Sequence, residues 1–515
     1  MITTQFYNRD GTERPAVRWS SLDVSSLVHS AKGGPKSARA QAIGSKSAMW
    51  EFLEMIGSPV VMRDSKHAED VWWGQLYKVV ISDGESRVEA SLGGMANSVA
   101  VAHTFNLKRF TTTYTTDADS IAEYGTKQLM LTARELTNDQ AEIYRDTELE
   151  KRKYPQRPEP VKAASDVPGA DLYFRGWWDT LTWTYFLNEA GLVSYWEIDN
   201  WYGREIGEDG RPSCAQSFVQ NSGAAWDAYH VYVRIRKVGA PATDLRLDLM
   251  SDAAGKPNAS LANCTLVAAT FTDRYDEYKF TLSVPVSLVS GTTYWVMLAT
   301  TGAIDVDNYY IVDGNATSGY ADGEFMLYNT VLVDWVYWPH PMDANFRVEG
   351  QSETTGQIEV MVTDEGQFLA GTDIVDDSGV YTNQARNGRT NAQYEIVKLL
   401  DMGTSTNRRL LARVLSNRLL QVYAEPNQGE YDYSKSADGI VTNYLGQVVA
   451  PSSCPVGVWM NYEDIVPSTV NTSKLSSMDR LFVEEAAYLP QSDTYEVRMA
   501  RGEDVLQSLF GVVNG

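Results

Sequence analysis

The sequence has few of the residues on which metal and disulfide sites depend. Among 515 residues there are three cysteines and five histidines. The cysteines match neither a CxxC metal motif nor a disulfide framework, and the histidines are too dispersed for an HExxH or paired-histidine zinc site. We therefore expect no metal, no cofactor and folding in a reducing compartment. The residues concerned are Cys214, Cys264, Cys454, His29, His67, His103, His230 and His340.

Long apolar runs and an excess of basic residues are also missing. No apolar stretch reaches the roughly 18 residues of a membrane span, and the start MITTQFYNRDGTERPAV is not a signal peptide, so membrane insertion and secretion by that route are not expected. With 44 Lys plus Arg against 67 Asp plus Glu, the net charge of -23 repels nucleic acid phosphates. Specific nucleic acid binding is therefore not expected either.

What is present indicates a mainly β protein with a few short helices. Abundant Gly, Tyr and Trp accompany many short runs of alternating hydrophobicity. Helices are predicted for SARAQAIGSKSAMWEFLEMIG, for the segment after a capping box at Thr137 and Gln140, and for NGRTNAQYEIVKLLDMG, with a Thr390 to Gln393 box and Gly403 as its cap. TGQIEVMVTDEGQFLAG is predicted as strands, and RRLLARVLSNRLLQVYAEP as a hairpin that turns at Ser416 and Asn417.

Residues 176–186, GWWDTLTWTYF, have five aromatic side chains. Apolar residues occupy odd-numbered positions, and threonines occupy the even-numbered positions between them. In a strand the apolar set, Trp177, Leu181, Trp183 and Tyr185, would lie on one face, so the segment is predicted to be a strand in the wall of the fold. Residues 214–350 then carry short strands with closely spaced turns, typical of an antiparallel β-sandwich. In its first strand, Tyr229, Val231, Val233 and Ile235 are predicted to share a face.

The order of several motifs resembles a known family. VWWGQLYKVVI…LGGMANSVAV, YGTKQLMLTARELTNDQAEIYRDTELEKRKYPQRPEP and LYFRGWWDTLTWTYF resemble the tail-hub, or baseplate-hub, proteins of long-tailed bacteriophages. IEVMVTDEGQFLAGTDIVDDSG…NAQYEIVKLLDMGTSTNRRLLARVLSNRLLQV does so on the far side of the sandwich. Between them, AQSFVQNSG, PVSLVSGTTYWVMLA and DANFRVEG look like a choice-of-anchor module, a jelly-roll-like, carbohydrate-binding-like sandwich.

The resemblance implies five regions. They are a first hub region with a tube-like β-barrel and helices (1–186), a connector (187–213), the inserted sandwich (214–350), a second hub region with a barrel and a helix (351–430) and a loop-rich C-terminal hub region (431–515).

The implied function is structural. A homotrimer would form a ring in the virion's tail tip, after synthesis in the host cytoplasm. The ring would join the distal tail or tail-tube protein and the tape measure protein to a central fibre or spike, and would let DNA pass. No catalytic residues are expected.

Two other functions remain open. The protein could act chiefly in host recognition, with the sandwich binding a host-surface carbohydrate, or it could be a cell-wall or polysaccharide hydrolase. Sugar stacking needs exposed rings with polar neighbours. The candidate glycan-binding residues are Trp226, Trp295, Tyr309, Tyr310, Trp335, Tyr337 and Trp338. Asp305, Asp307 and Asn308 could offer oxygens to calcium, but their spacing departs from an EF-hand loop and favours an ordinary turn.

Overall fold

A computed structural model gives the architecture. It describes residues 1–500 apart from 15–18, 84–85, 106–107, 156–160, 163–167, 189, 196–200, 207–211, 224, 303–305, 316–319, 338–341, 406–407, 427–432, 436–439, 444, 446 and 462–479. The chain is mainly β with few helices, as the sequence predicts. It divides into two compact units. We call Met1–Phe186, Thr354–Val380 and Thr390–Gly515 the scaffold unit, and Leu187–Glu353 with Tyr381–Arg389 the sandwich unit.

The described elements are numbered in chain order. The first strands are β1 (Ile2–Phe6), β2 (Trp19–Ser30), β3 (Lys32–Gly44), β4 (Pro59–Asp64), β5 (Glu69–Ser82), β6 (Ser86–Ser91), β7 (Ser98–Phe105), β8 (Lys108–Thr111), β9 (Thr115–Thr116), β10 (Gln128–Arg134), β11 (Val161–Lys162), β12 (Gly169–Gly176) and β13 (Tyr185–Asn188). The next are β14 (Leu192–Tyr195), β15 (Trp201–Ile206), β16 (Ser213–Val219), β17 (Trp226–Val238), β18 (Leu245–Ala253), β19 (Lys256–Leu266), β20 (Asp276–Leu288), β21 (Thr293–Thr300), β22 (Tyr309–Asn315), β23 (Phe325–Asn329), β24 (Asp334–Tyr337), β25 (Asp343–Ala344) and β26 (Phe346–Glu353).

The remaining strands and the helices complete the list. The strands are β27 (Gly371–Ile374), β28 (Tyr381–Asn383), β29 (Arg386–Asn391), β30 (Thr404–Ser405), β31 (Arg408–Val414), β32 (Leu419–Ala424), β33 (Tyr433–Lys435), β34 (Val441–Asn443), β35 (Trp459–Asn461), β36 (Arg480–Leu489) and β37 (Thr494–Ala500). The α-helices are α1 (Lys46–Glu54), α2 (Ala118–Tyr124), α3 (Asn138–Arg152), α4 (Thr354–Glu365) and α5 (Ala392–Met402), and 3₁₀ helices lie at Trp177–Thr182, Ala268–Thr270 and Pro451–Ser453.

A large antiparallel arrangement forms the main core of the scaffold unit. Strand β12 lies between β3 and β5, β4 joins β5 to β1, and β2 joins β3 to β36. Helix α1 packs Met49 and Phe52 into this core. The sequence predicted one helix from Ser37 to Gly57, but its first part belongs to β3. Buried alanines alternate there with more exposed residues from Ala38 to Ile43, which is the period of a strand.

A second core of the scaffold unit lies where α4 and α5 pack with β31 and β32. The prediction of strands after residue 354 is wrong for α4, because Ile358, Met361 and Val362 lie at helical spacing and are buried together. Helix α5 is confirmed, but its N-cap is Asn391, whose side chain accepts a hydrogen bond from Tyr394 N at 2.9 Å.

The aromatic segment at 176–186 is also part of this core. The predicted strand is wrong at its start, because Trp177–Thr182 form a 3₁₀ helix. Trp177, Trp178 and Leu181 are nevertheless buried. The segment is a wall of the fold, as its apolar content indicated.

A smaller sheet of β7, β8, β9 and β10 packs against α3. Val99 of β7 and Leu149 of α3 are buried in the same cluster. Both hydrogen bonds of the predicted capping box at Thr137 and Gln140 are present, so the start of this helix is confirmed.

The sandwich unit consists of two antiparallel sheets. Sheet I contains β14, β26, β17, β22 and β15 with β20, β25 and β28, and sheet II runs in the order β19, β18, β21, β16, β23, β24. Val231, Val233 and Ile235 face the shared core as predicted. Tyr229 does not, because the register shifts between Ala228 and His230 and brings Ala228 into the core instead.

The segment 187–213, predicted to be a connector, carries two strands of sheet I. Strand β14 pairs with β26, and β15 pairs with β22. These pairings make the segment part of the sandwich unit and move the start of that unit to Leu187.

Candidate binding surface of the sandwich unit

The predicted glycan-binding aromatics differ widely in their exposure. Trp226, Trp295 and Tyr310 are buried, so the prediction that they could stack on a sugar is wrong for these three. Tyr309 and Trp335 are half-buried, and Tyr337 is 58% exposed. Trp338 lies outside the described residues. Among the rings that the structure describes, the most exposed one is therefore Tyr337 on β24.

Sheet II curls until its two edge strands meet. Lys256 at the start of β19 forms a 2.6 Å ion pair with Asp334 at the start of β24. A Cβ placed on Gly255 would lie 3.9 Å from the Tyr337 hydroxyl. Because β19 and β24 are at opposite ends of the strand order, these contacts require the sheet to fold over its own outer face.

The curl encloses a small cluster that is separate from the core between the sheets. Met250, Trp295 and Met326 are buried there, with Met297 and Trp335 packed against them. The indole Nε1 of Trp295 donates a 2.8 Å hydrogen bond to Asp252 Oδ1. This cluster holds β24 and its side chains in place.

The rim of the curl combines an exposed ring with charged groups. A hydrogen bond to the Glu324 carboxylate raises the pKa of Tyr337. The ion pair between Lys256 and Asp334 joins the same two edge strands, β19 and β24. On the inner side, Trp335 contacts Tyr328 edge to face, with ring centroids 5.4 Å apart. An accessible ring beside a carboxylate is an arrangement that suits a polar ligand with an apolar face.

The turn between β23 and β24 is an apolar tip that the sequence interpretation missed. Val331, Leu332 and Val333 are all strongly exposed. The side chain of Asn329 accepts hydrogen bonds from the backbone N–H groups of Val331 at 2.9 Å and Leu332 at 3.0 Å, and Val333 adopts φ 54°. A β-branched residue rarely takes a positive φ, so the shape of this tip is imposed by its neighbours. The sequence feature that could have revealed this tip is a run of three apolar residues at a turn.

Other candidate groups have structural roles. The described residues contain no group of three or more His, Cys, Asp or Glu that could hold a metal. Of the calcium candidates, Asp305 lies outside the described residues, and Asn308 Oδ1 accepts a 2.6 Å hydrogen bond from Ala240 N. Burial raises the pKa of the thiols of Cys214 and Cys454, which disfavours the reactive thiolate.

Within the described part of the chain, no helix is both long and apolar enough to span a membrane.

Comparisons with known proteins give no identification. No family model and no curated protein matches the chain. Among solved structures, the mosquito-larvicidal Cry4Aa toxin from Bacillus thuringiensis is 8% identical, with a TM-score of 0.17 over 61% of this chain and 57% of the toxin. The aligned region thus spans little more than half of the toxin. A similarity at this level carries no argument about fold or function.

Proposed function

We propose that the protein is a structural hub of a bacteriophage tail tip that carries an accessory binding module. The observation that supports this most is the insertion of a two-sheet sandwich into the scaffold unit's chain, which leaves the scaffold unit at Phe186, returns at Thr354 and adds one short strand to the sandwich at Tyr381–Asn383. An insertion with its own core adds a surface to a scaffold without replacing the scaffold's core. The motifs that resemble tail hubs fall mainly in the scaffold unit, and those that resemble a choice-of-anchor module fall in the sandwich unit.

In this proposal, three copies form a ring in the virion's tail tip. The ring joins the tail tube and tape measure protein to a central fibre or spike and leaves a passage for DNA. Identical strand-rich protomers suit closed symmetry, because neighbours can cover strand edges that would otherwise be exposed. The net charge of -23 also suits a conduit, since acidic walls do not retain phosphates.

Light scattering of the purified full-length chain tests the ring. We expect the mass of a trimer at concentrations where the ring is stable. A dimer, or an assembly with no threefold stoichiometry, would contradict the proposed hub.

A second function, carbohydrate binding at the rim around Tyr337, is favoured by the exposed ring beside Glu324. Weak single sites would suffice, because several copies in one ring add avidity. The test is retention of the full-length protein on host polysaccharide. Tyr337→Ala should abolish retention, whereas Tyr381→Ala, which truncates a similarly exposed ring in the same unit, should leave it unchanged. Equal retention by all three proteins would exclude Tyr337 from a sugar site.

We propose no enzymatic activity. The hydrolase alternative predicts a cleared zone on a cell-wall or polysaccharide gel, and the hub proposal predicts none. Such a gel with the purified chain separates the two directly.

A further inference from the structure

A row of cations and tyrosines crosses three strands of the scaffold unit. Arg39 of β3, Tyr173 of β12 and Lys78 of β5 are direct neighbours in the strand register. The Arg39 guanidinium carbon and the Lys78 Nζ each lie 5.5 Å from the centroid of the Tyr173 ring. These side chains face away from the core, because their neighbours along the strands, among them Ala38 and Phe174, are buried. The tyrosine therefore holds two cations on the outer face by cation–π contacts.

The next residue on the same face of β12, Arg175, extends this row. The guanidinium carbon of Arg175 lies 5.5 Å from the centroid of the Tyr77 ring. Together these residues surround a hollow of about 160 Å³. We call the set the basic strip; it consists of Arg39, Tyr77, Lys78, Tyr173 and Arg175.

The basic strip contrasts with the charge of the whole chain. Its hollow is lined by three cations and by no carboxylate, on a protein whose net charge is -23. Two carboxylates lie close to the strip: Glu89 of β6 forms a 2.6 Å ion pair with Lys78, and the half-buried Asp179 interacts electrostatically with Arg175. Arg39 is exposed, and the described contacts of its guanidinium are with Tyr173. A positive surface held in a fixed shape fits an acidic partner.

Helix α3 of the same unit has the complementary surface. Its buried side includes Ala141, Arg145 and Leu149. A flank beside this buried side carries four exposed carboxylates at helical spacing, over about 16 Å at 1.5 Å per residue. Two of them already have a partner within the helix or at its end, because Asp146 pairs with Arg145 at 2.8 Å and Glu150 with Lys153 at 3.0 Å. We call this set the acidic stripe; it consists of Asp139, Glu142, Asp146 and Glu150.

Exposed apolar surface lies within the acidic stripe. Ile143 is 68% exposed and lies on the same side of the helix as the carboxylates. Its burial in a contact would add to the attraction between opposite charges. The stripe therefore offers both charge and apolar area to a partner.

We infer that the basic strip of one copy binds the acidic stripe of helix α3 of a second copy. The inference rests on the proposed ring and names the contact that closes it. Two copies with a charge of -23 repel each other, so a stable contact needs a place where one copy presents cations. Because the strip and the stripe are different surfaces, the contact is head-to-tail, and such contacts close into rings when the rotation between copies allows it.

A charge-swap experiment on the full-length protein tests the contact. Arg39→Glu and Glu142→Arg should each raise the midpoint concentration for assembly about tenfold, which corresponds to the loss of one close charge pair. In the double variant the midpoint concentration should return to within about threefold of that of the original protein. The new carboxylate in the strip of one copy then attracts the new arginine in the stripe of the next copy. Assembly should also weaken with added salt.

Arg274→Glu is the matched control. It reverses an exposed arginine of the sandwich unit and should leave assembly unchanged. Melting temperatures of all variants show whether they fold. If the single reversals leave assembly unchanged, or the double variant shows no recovery, the contact is refuted. A chain that is monomeric at every concentration also refutes it.

The failure of the contact and the failure of the hub proposal give different results. Antibody labelling of virions reports the position of the protein independently of the charge swap. If the antibody labels the tail tip and the charge reversals do not change assembly, the contact is refuted and the hub proposal stands. Labelling elsewhere on the virion would refute the hub proposal.

Discussion

Replacing Trp295 with alanine should destabilise the curl of sheet II far more than replacing Tyr337. Trp295 is 1% exposed and is buried in one cluster with Met250 and Met326. Truncation of a buried Trp or Phe costs about 3 to 5 kcal/mol, and the hydrogen bond from Nε1 to Asp252 contributes about 1 kcal/mol within that range. We therefore expect a loss of about 4 kcal/mol for Trp295→Ala.

Tyr337→Ala removes a ring that is 58% exposed, so its cost should be below about 1 kcal/mol. Trp295→Phe is the intermediate control, because it keeps an aromatic ring but loses the hydrogen bond to Asp252. Hydrogen exchange of the full-length protein measures the local opening free energies of β21 and β23. If Trp295→Ala leaves the exchange protection unchanged, or if both variants lose the same local opening free energy, Trp295 does not hold an enclosed cluster together.

Three further predictions concern the scaffold unit. Burial lowers the pKa of His29 to about 4, whereas the unfolded chain protonates it near 6.5, so the unfolded state binds more protons between these values. The contribution of His29 to the free energy of unfolding is complete above about pH 6.5 and is about 2 kcal/mol smaller at pH 5. Urea unfolding of His29→Leu should therefore show a weaker dependence of the unfolding free energy on pH between about 4 and 6.5. The same pH dependence in both proteins would contradict the prediction. Gly33→Ala should lower the free energy of unfolding by more than about 2 kcal/mol, and the melting temperature with it, because φ is 107° and the new Cβ would lie 2.4 Å from the Trp178 ring. Asn391→Ala should cost about 1 kcal/mol in urea unfolding through loss of the α5 cap, and an unchanged midpoint would contradict it.

The sequence predicted elements well where local periodicity and tertiary burial agree. Helix α3 and the hairpin of β31 and β32 are such cases. At residues 37–44, alanines are compatible with either a helix or a strand, and pairing with β2 and β12 decides for the strand. At 354–365 the apolar residues satisfy more than one period, and packing against α5 decides for a helix.

The candidate site was less predictable than the fold. Trp295 and Tyr337 are both aromatic residues in alternating strands, and the sequence does not tell which one becomes enclosed. That depends on the curl of sheet II, which brings Lys256 to Asp334 across 78 positions of the chain. The sequence shows that Val331–Val333 are apolar, but it does not show that they are exposed, because their exposure depends on the position of the turn.

The most direct test of the central proposal is the position of this protein in the virion. Gold-labelled antibodies against the full-length protein should mark the tail tip, at the end of the tail distant from the capsid. Decoration of the capsid, or of the tail along its whole length, would contradict the hub proposal.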